Sequence, residues 1–333
     1  MSTTGMSQAI HYTMKEQEII DMKNYAFGVD IGGTTCKIGF FETSGKLLDK
    51  WEIKTNTENN GASILDDVAA ALKAKMAEQG LNYDDIQGVG IGVPGPVNSK
   101  GEVPFCVNLG WGAIPVESVL SEKMGGILVK CGNDANVAAL GEMWQGGAKG
   151  YEDIVMVTLG TGVGGGIIIG GKVLAGFNGA GGEFGHMTMN TEDTELCACG
   201  RPACLEWYAS ANGLARLAKK ALAKDHDTTT LDGVETVTAK DVFDAYKAGD
   251  KVAAEIVKEF ATILGDGLNR IAVVVDPEIF VIGGGLSKAG QPLLDVVQEE
   301  FIKKAYNPCK ATKFALATLG NDAGIYGCVQ MVL

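Results

Sequence analysis

Residues 25–40 read Tyr-Ala-Phe-Gly-Val-Asp-Ile-Gly-Gly-Thr-Thr-Cys-Lys-Ile-Gly-Phe, and residues 154–173 read Ile-Val-Met-Val-Thr-Leu-Gly-Thr-Gly-Val-Gly-Gly-Gly-Ile-Ile-Ile-Gly-Gly-Lys-Val. In both stretches, apolar β-formers lie on either side of a glycine turn that carries threonine, a pattern that predicts strand, turn and strand. Segments with helical patterns follow each stretch. The chain therefore consists of two similar halves, which predicts an α/β protein of two lobes with a ligand crevice between them.

The rest of the pattern adds strands and helices to both halves. Strands are predicted around 47–53, 86–92, 127–131 and 279–282, and helices over 63–79, 135–144, 211–224, 239–248, 251–272 and 292–305, with a last helix from about 321. We expect residues 1–24 to form a flexible extension, because they contain no core-forming pattern. The predicted small lobe spans 25–133 together with 321–333, and the predicted large lobe spans 134–320.

Composition excludes some classes of function. The formal charge of −13 argues against a nucleic-acid partner, whose phosphates would be repelled. The uncharged window 154–171 approaches the length of a membrane span, but seven of its residues are glycine, so it predicts a buried hairpin. No secretory signal is visible, and we expect a cytoplasmic protein with reduced cysteines and no membrane contact.

The two glycine turns are candidate phosphate loops. Glycine lets backbone N–H groups approach an anion closely, and threonine hydroxyls add donors. Asp30, at the end of the first strand, is placed to hold water around Mg²⁺. Taken alone, each turn is equally consistent with a tight hairpin that binds nothing. Their repetition at the start of both halves favours two loops that hold one polyphosphate.

One segment has the composition of a metal site. His186, Cys197, Cys199 and Cys204 form the pattern H-x10-C-x-C-x4-C, a complete set of four nitrogen and sulfur ligands for tetrahedral Zn²⁺. A disulfide is the main alternative. A reducing compartment disfavours it, and three cysteines would leave one unpaired.

Five motifs in order resemble the ROK family (repressors, open reading frames and sugar kinases), most closely its bacterial glucokinases. They are Asp30-Ile-Gly-Gly-Thr34, Gly92-Val-Pro-Gly-Pro96, Asn133-Asp-Ala-Asn136, Leu159-Gly-Thr-Gly162 and the cysteine-rich segment. The resemblance covers about residues 25–333. It implies a two-lobed actin/hexokinase-like (ribonuclease H-like) fold with duplicated halves, with ATP in the cleft and a sugar beneath it.

The same resemblance implies roles for individual residues. Asp134 would be the base that activates the 6-hydroxyl of the sugar, although Asn and Asp before a helix are also favoured N-caps. The implied sugar contacts are Asn133, Glu183, His186 and Glu206, with Asn108 as a weaker one. The implied nucleotide contacts are Asp30, Gly32, Gly33, Thr34, Thr35, Lys37, Gly160, Thr161, Gly162, Gly164 and Gly165 at the phosphates, and Gly283 and Gly284 near the adenosine.

The zinc loop departs from the family at one position. The ROK kinases usually have glycine where this chain has Ala203. The exchange matters only if the backbone at that position takes a positive φ. The implied role of the metal is structural, since it would fix His186 so that the second ring nitrogen can reach a sugar hydroxyl.

These features predict ATP-dependent phosphorylation of glucose at O6, with Mg²⁺ and a structural Zn²⁺. Kinases of N-acetylmannosamine, N-acetylglucosamine or fructose share nearly all the motifs and stay open as alternatives. A sugar-responsive repressor of the same family is disfavoured, because only about 24 residues, not basic in character, precede the first strand. Association into dimers or tetramers is usual in the family, so we expect a homo-oligomer.

Overall fold

The computed structural model describes residues 22–190 and 192–333. Most of the extension predicted for residues 1–24 therefore lies outside the described residues. The backbone N–H of Lys23 donates to Gln87 Oε1 (3.1 Å), and the carbonyl of Asn24 accepts from the N–H of Thr43 (2.9 Å). These contacts attach the chain to the first sheet just before its first strand.

The first sheet has five strands in the order β3-β2-β1-β4-β5. They are β1 (Tyr25–Ile31), β2 (Thr35–Glu42), β3 (Leu47–Lys54), β4 (Ile86–Val93) and β5 (Val129–Asn133). The first three strands are antiparallel, whereas β4 and β5 run parallel to β1. Three helices accompany this sheet, namely α1 (Glu58–Gly61), α2 (Ile64–Gln79) and α3 (Val116–Lys123).

The second sheet repeats this order. Its strands are β6 (Ile154–Leu159), β7 (Val163–Ile169), β8 (Lys172–Val173), β9 (Ile279–Gly283) and β10 (Lys313–Leu316). They are arranged β8-β7-β6-β9-β10, so the third, second, first, fourth and fifth strands of each half are neighbours in the same sequence. The predicted duplication of an α/β fold is confirmed.

The remaining helices are α4 (Asp134–Gln145), α5 (Leu205–Ala209), α6 (Ala211–Leu222), α7 (Ala239–Lys247), α8 (Lys251–Val275), α9 (Gln291–Lys304) and α10 (Ala323–Gln330). The largest buried cluster lies between the second sheet and α5–α9, and a separate one lies between the first sheet and α2–α3. Of the helices that the structure describes, none has the length and apolar character needed to cross a membrane.

Helices α4 and α10 cross where the two sheets meet, and their backbones are in direct contact. A Cβ on Gly141 would lie 2.1 Å from the carbonyl oxygen of Ala323, and a Cβ on Gly327 would lie 1.7 Å from that of Val137. Only glycine fits at such a distance. The helix that begins with Asp134 is therefore packed tightly against the helix that returns to the first sheet.

Candidate active site

A cavity of about 650 Å³ lies between the two sheets and contains several of the predicted site residues. Asp30, Gly32 and Lys37 come from the first two strands and their turn, and Asp134 comes from the start of α4. The opposite wall and floor are formed by Met156, Thr158, Gly284, Gly285, Ser287, Lys288, Ala317, Gly320, Asn321, Ala323 and Gly324, with Ile31, Ala135 and Ala138 completing the lining.

Asn133 and Asp134 divide two tasks between them. Asn133 is the N-cap of α4, since its Oδ1 accepts from the N–H groups of Ala135 (3.1 Å) and Asn136 (3.2 Å). Asp134 lies one residue inside the helix, and its Oδ1 accepts from the Ala135 N–H (2.8 Å) and from Asn133 Nδ2 (3.0 Å). Both bonds use Oδ1, which leaves Oδ2 for a substrate. The N-cap of α4 is therefore Asn133 and not Asp134, which lines the cavity.

Burial changes the acidity of both carboxyl groups in the cavity. It raises the pKa of Asp134 above the ordinary value of 3.8, and the negative charge of Glu183 adds to the effect. Burial also raises the pKa of Asp30 to about 6, aided by the charge of Asp134 and opposed by Lys37. A carboxylate with a raised pKa is a stronger base, so the environment suits proton transfer.

Replacing Asp30 by asparagine is expected to stabilise the protein at high pH only. Because the folded-state pKa of about 6 exceeds 3.8, the stabilising contribution of this carboxyl is full below about pH 3.8 and is lost as pH rises through 6. Asparagine stays neutral, so Asp30→Asn should gain up to about 3 kcal/mol at pH 8, at about 1.36 kcal/mol per pKa unit, and little near pH 4. Urea denaturation at both pH values measures this, and an equal gain at both would contradict it.

The turn between β1 and β2 lies at the cavity. The Gly32 N–H donates to the carbonyl of Thr35 (2.9 Å), and Gly33, Thr34 and Thr35 are exposed. Lys37 stands opposite Asp30 in the sheet, and its ammonium donates to the carbonyl of Asn321. The turn thus offers exposed backbone groups and a cation beside the buried carboxyl of Asp30.

The second glycine turn lies on a different side. Gly160, Thr161 and Gly162 form the turn between β6 and β7, whereas Gly164 and Gly165 are already inside β7. Among the described residues that line the cavity, the contribution of this hairpin is Met156 and Thr158, not the turn itself. A Cβ on Gly162 would lie 2.0 Å from Glu206 Oε2, so this turn packs against a predicted sugar contact.

The third glycine segment ends β9. Gly283 is buried at the end of the strand, and Gly284, with φ of 80°, turns the chain into the cavity wall. The following Ser287 and Lys288 also line the cavity, and the sequence prediction had overlooked both. Two polar residues so soon after a buried strand and a glycine turn were a usable signal.

Three of the predicted sugar contacts, Glu183, His186 and Glu206, lie close to one another outside the lining of this cavity. His186 Nε2 lies 4.0 Å from Glu183 Oε2, and the charge of Glu183 acts on Asp134. Glu206 Oε2 accepts from the N–H of Val163 (3.0 Å). Asn108 is exposed in a short 3-10 helix, and its carbonyl oxygen would lie 3.7 Å from a Cβ on Gly33. Glu183, His186 and Glu206 therefore lie together at the metal-ligand cluster, since Cys197 Sγ of that cluster donates to Glu206 Oε1 (3.2 Å), whereas Asn108 lies beside the β1–β2 turn.

The cysteine-rich segment forms a compact cluster of possible metal ligands. The ligand atoms of His186, Cys197, Cys199 and Cys204 all lie within 4.8 Å of one another. The Sγ atoms of Cys199 and Cys204 are 3.6 Å apart, close to the edge of about 3.8 Å expected for a tetrahedron with Zn–S bonds of about 2.3 Å. His186 Nδ1 is buried without a hydrogen-bond partner, as expected for a nitrogen that binds a metal. The residues therefore fit a tetrahedral ion.

The one departure from the family pattern falls on a strained residue. Ala203 is fully buried and has φ of 56°, in the left-handed region that favours glycine. Because the neighbouring Cys204 belongs to the cluster, the strain lies inside the proposed metal loop. Because φ at position 203 is positive, the exchange of glycine for alanine is expected to cost stability.

Ala203→Gly is expected to raise the free energy of unfolding by about 0.5–1 kcal/mol. It relieves a conformation that costs a non-glycine residue about 1–2 kcal/mol, less the entropy that glycine loses on folding. Thermal and urea denaturation of the metal-loaded protein measure the difference. Ala209→Gly is the matched control, since Ala209 is equally buried but helical and should lose stability. Destabilisation by both substitutions would contradict the strain argument.

Comparisons with known proteins find relatives that cover most of the chain. The ROK family matches residues 26–333. The glucokinase of Halalkalibacterium halodurans is 42% identical over 305 residues, which cover 90% of this chain and 92% of that protein. Two crystal structures are also similar. One is a ROK family glucokinase from Streptomyces griseus in complex with glucose and AMPPNP (33% identity, TM-score 0.69, 92% and 98% of the two chains). The other is a ROK hexokinase from Thermus thermophilus, with 30% identity and a TM-score of 0.73, over 92% of this chain and 97% of that one.

Proposed function

The chain belongs to the ROK family, and from that premise we propose that it transfers the γ-phosphoryl group of ATP to O6 of glucose. The 42% identity to a glucokinase over 90% of the chain supports this activity, as does the similarity to a glucokinase that binds glucose and AMPPNP. The observation that carries the proposal is the cavity in which the Asp134 carboxylate, the Asp30 carboxyl and Lys37 meet.

In this mechanism Asp134 is the general base. Its Oδ2 accepts the proton of the sugar 6-hydroxyl while that oxygen attacks the γ-phosphorus in line, and the bond from the γ-phosphorus to the β–γ bridging oxygen breaks to release ADP. Asn133 and the Ala135 N–H hold Oδ1 and so orient the carboxylate. The raised pKa of Asp134 makes it a better proton acceptor than an exposed aspartate. Phosphoryl transfer needs little other covalent chemistry, so positioning and electrostatic stabilisation of the phosphates supply the rest of the catalysis.

The nucleotide lies along the cavity in this proposal. The phosphates contact the β1–β2 turn and Lys37, and the turn of Gly160–Gly162 reaches them when the lobes close. Asp30, through bound water, would hold Mg²⁺, which would neutralise charge on the phosphates. A second cavity of about 530 Å³, lined by Ala215, Val237, Phe243 and Leu286 among others, shares Gly285 and Lys288 with the first. Its apolar walls suit the adenine ring.

The sugar lies between Asp134 and the metal loop. His186 would hold the metal through Nδ1, which is buried without a partner, and this would leave the Nε2–H near Glu183 to donate to a sugar hydroxyl. Glu183, Glu206 and Asn108 supply further hydrogen bonds to the hydroxyls. Asn133 joins them by exchanging its bond to the Gly95 carbonyl (3.3 Å) for one to the sugar. A Zn²⁺ ion at the four ligands would have a structural role, since it would fix the imidazole and the loop.

The remaining parts of the proposal concern the whole molecule. We assign residues 25–133 and 321–333 to a small lobe and 134–320 to a large lobe, which close on the substrates to exclude water. The eight free cysteines are consistent with a cytoplasmic location. Assembly into a dimer or tetramer is part of the same proposal.

A coupled assay of ADP release tests the activity. Purified protein with Mg²⁺ and ATP is given glucose, N-acetylglucosamine, N-acetylmannosamine or fructose, with ³¹P NMR to locate the phosphate. We expect kcat/KM for glucose to exceed the others by at least tenfold, with the product phosphorylated at O6. A preference for an N-acetylated sugar or for fructose would overturn the assignment of glucose as substrate. If none of the sugars stimulated ADP release, the proposed kinase activity itself would be overturned.

A further inference from the structure

One buried carboxylate plays no part in the mechanism above. Glu142, on α4, has no exposed surface. Its Oε2 accepts from the N–H groups of Gly147 (2.8 Å) and Thr318 (3.0 Å), and its Oε1 accepts from the N–H of Leu319 (2.9 Å). Within the described ranges, no lysine, arginine or histidine forms an ion pair with it. Burial of a charge is costly, and here only backbone donors offset that cost.

The donors belong to two separate parts of the chain. Gly147 follows the C-terminal end of α4, whereas Thr318 and Leu319 lie in the linker between β10 and α10. This linker, residues 317–322, contributes Ala317, Gly320 and Asn321 to one wall of the 650 Å³ cavity that contains Asp134. Glu142 thus joins the helix that begins with Asp134 to a wall of the cavity in which Asp134 acts.

At its other end, the linker is bound by lysines from β2 and β3. The Lys37 ammonium donates to the carbonyl of Asn321, and it lies 3.7 Å from the carboxylate of Asp322. Lys50, on β3, lies 2.6 Å from the same carboxylate. The linker is therefore attached to α4 on one side and to β2 and β3 on the other.

Two glycines that follow α4 leave the space that this carboxylate needs. A Cβ on Gly146 would lie 2.1 Å from Glu142 Oε2, and a Cβ on Gly147 would lie 2.3 Å from the carbonyl oxygen of Leu316. Two consecutive glycines are thus required for the end of α4 to fold back under Glu142. Satisfying the last turn of a helix does not by itself need a buried acid that also binds a distant linker.

We propose that Glu142 is a positioning residue for phosphoryl transfer. It fixes the linker wall against α4, so that the phosphates of the nucleotide and the Asp134 carboxylate keep their in-line arrangement. Glu142 is eight residues from Asp134, about 12 Å along the helix, so it acts through the linker and not by contact. This inference rests on the proposed kinase function, because it assigns Glu142 a role in the same site.

The test is Glu142→Gln, which keeps the shape but turns one acceptor into an NH₂ group that faces backbone donors. We expect kcat/KM for ATP to fall at least tenfold and the Kd for the non-hydrolysable analogue AMPPNP to rise at least fivefold. The Kd for glucose alone, from calorimetry, should stay within twofold. Glu300→Gln is the matched control, since Glu300 is also a buried glutamate but pairs with Lys303 on α9. It should lower the melting temperature without altering nucleotide kinetics.

Each outcome decides the matter. If Glu142→Gln lowers only the melting temperature, as the control does, the residue is merely structural and the proposal is overturned. If it does not fold, Asp322→Asn loosens the same linker from its partly exposed end, and unchanged nucleotide affinity there also overturns the proposal. Failure of the kinase function itself is distinguishable, because wild-type protein would then bind AMPPNP but phosphorylate no sugar.

Discussion

Asp134→Asn is expected to lower kcat for glucose phosphorylation by about 10²–10⁴, the usual contribution of a general base. Asparagine has the same shape and still accepts from the Ala135 N–H, but it cannot take the proton of the 6-hydroxyl. Because the geometry is preserved, the Kd for glucose should change little. The coupled assay at saturating substrate gives kcat, and calorimetry without nucleotide gives the Kd.

A control is available on another helix. Asp66 is also an aspartate in the first turn of a helix, α2, but its side chain is largely exposed and lies outside the cavity. Asp66→Asn should leave kcat unchanged. If Asp134→Asn kept more than a tenth of the wild-type kcat, another group would have to be the base, and the mechanism proposed for Asp134 would be wrong.

Cys204→Ser is expected to remove the metal and weaken glucose binding. Cys204 is fully buried within the ligand cluster, and a serine hydroxyl does not replace a thiolate on zinc. Without the ion, Nδ1 of His186 has no partner and the imidazole loses its orientation toward Glu183. We expect KM for glucose to rise at least tenfold, with zinc content by mass spectrometry falling from about one ion per chain to below about 0.1.

Unfolding of the whole protein is not expected to follow. The metal loop has other anchors, because the Tyr208 hydroxyl donates to Asp193 (2.5 Å) and the Arg270 guanidinium donates to the carbonyl of Thr188 (2.6 Å). Cys309→Ser is the matched control, since Cys309 is buried outside the cluster and its loss should leave zinc content and KM unchanged. Zinc-free protein with wild-type KM and melting temperature would contradict a structural metal.

Local pattern was sufficient for most of the fold. Helix α8 was predicted over 251–272 and spans 251–275, and α4 was predicted over 135–144 and spans 134–145. These are long periodic segments whose ends carry recognisable caps. The short elements α3, α5 and β10 were not predicted, because a few residues carry too little periodicity and their stability comes from packing on neighbours.

One strand shows how tertiary pairing moves a boundary. The strand predicted over 127–131 lies at 129–133, because residues 132 and 133 pair with Gly92 and Val93 of β4. Glycine and asparagine are poor strand formers, so propensity ended the prediction too early. The shift has a functional consequence, since it brings Asn133 and Asp134 directly to the edge of the sheet.

By itself the sequence determined the duplicated α/β fold and the four candidate metal ligands, because glycine turns, strand alternation and ligand spacing are local properties. Only the tertiary structure decided that Ala203 is strained, that burial and the charge of Asp134 raise the pKa of Asp30, and that Glu142 binds the linker that forms a wall of the cavity. Those properties depend on which distant residues meet, and on how much water their contact excludes. The energies of burial and of charge interaction arise from that proximity, which no short pattern in the chain encodes.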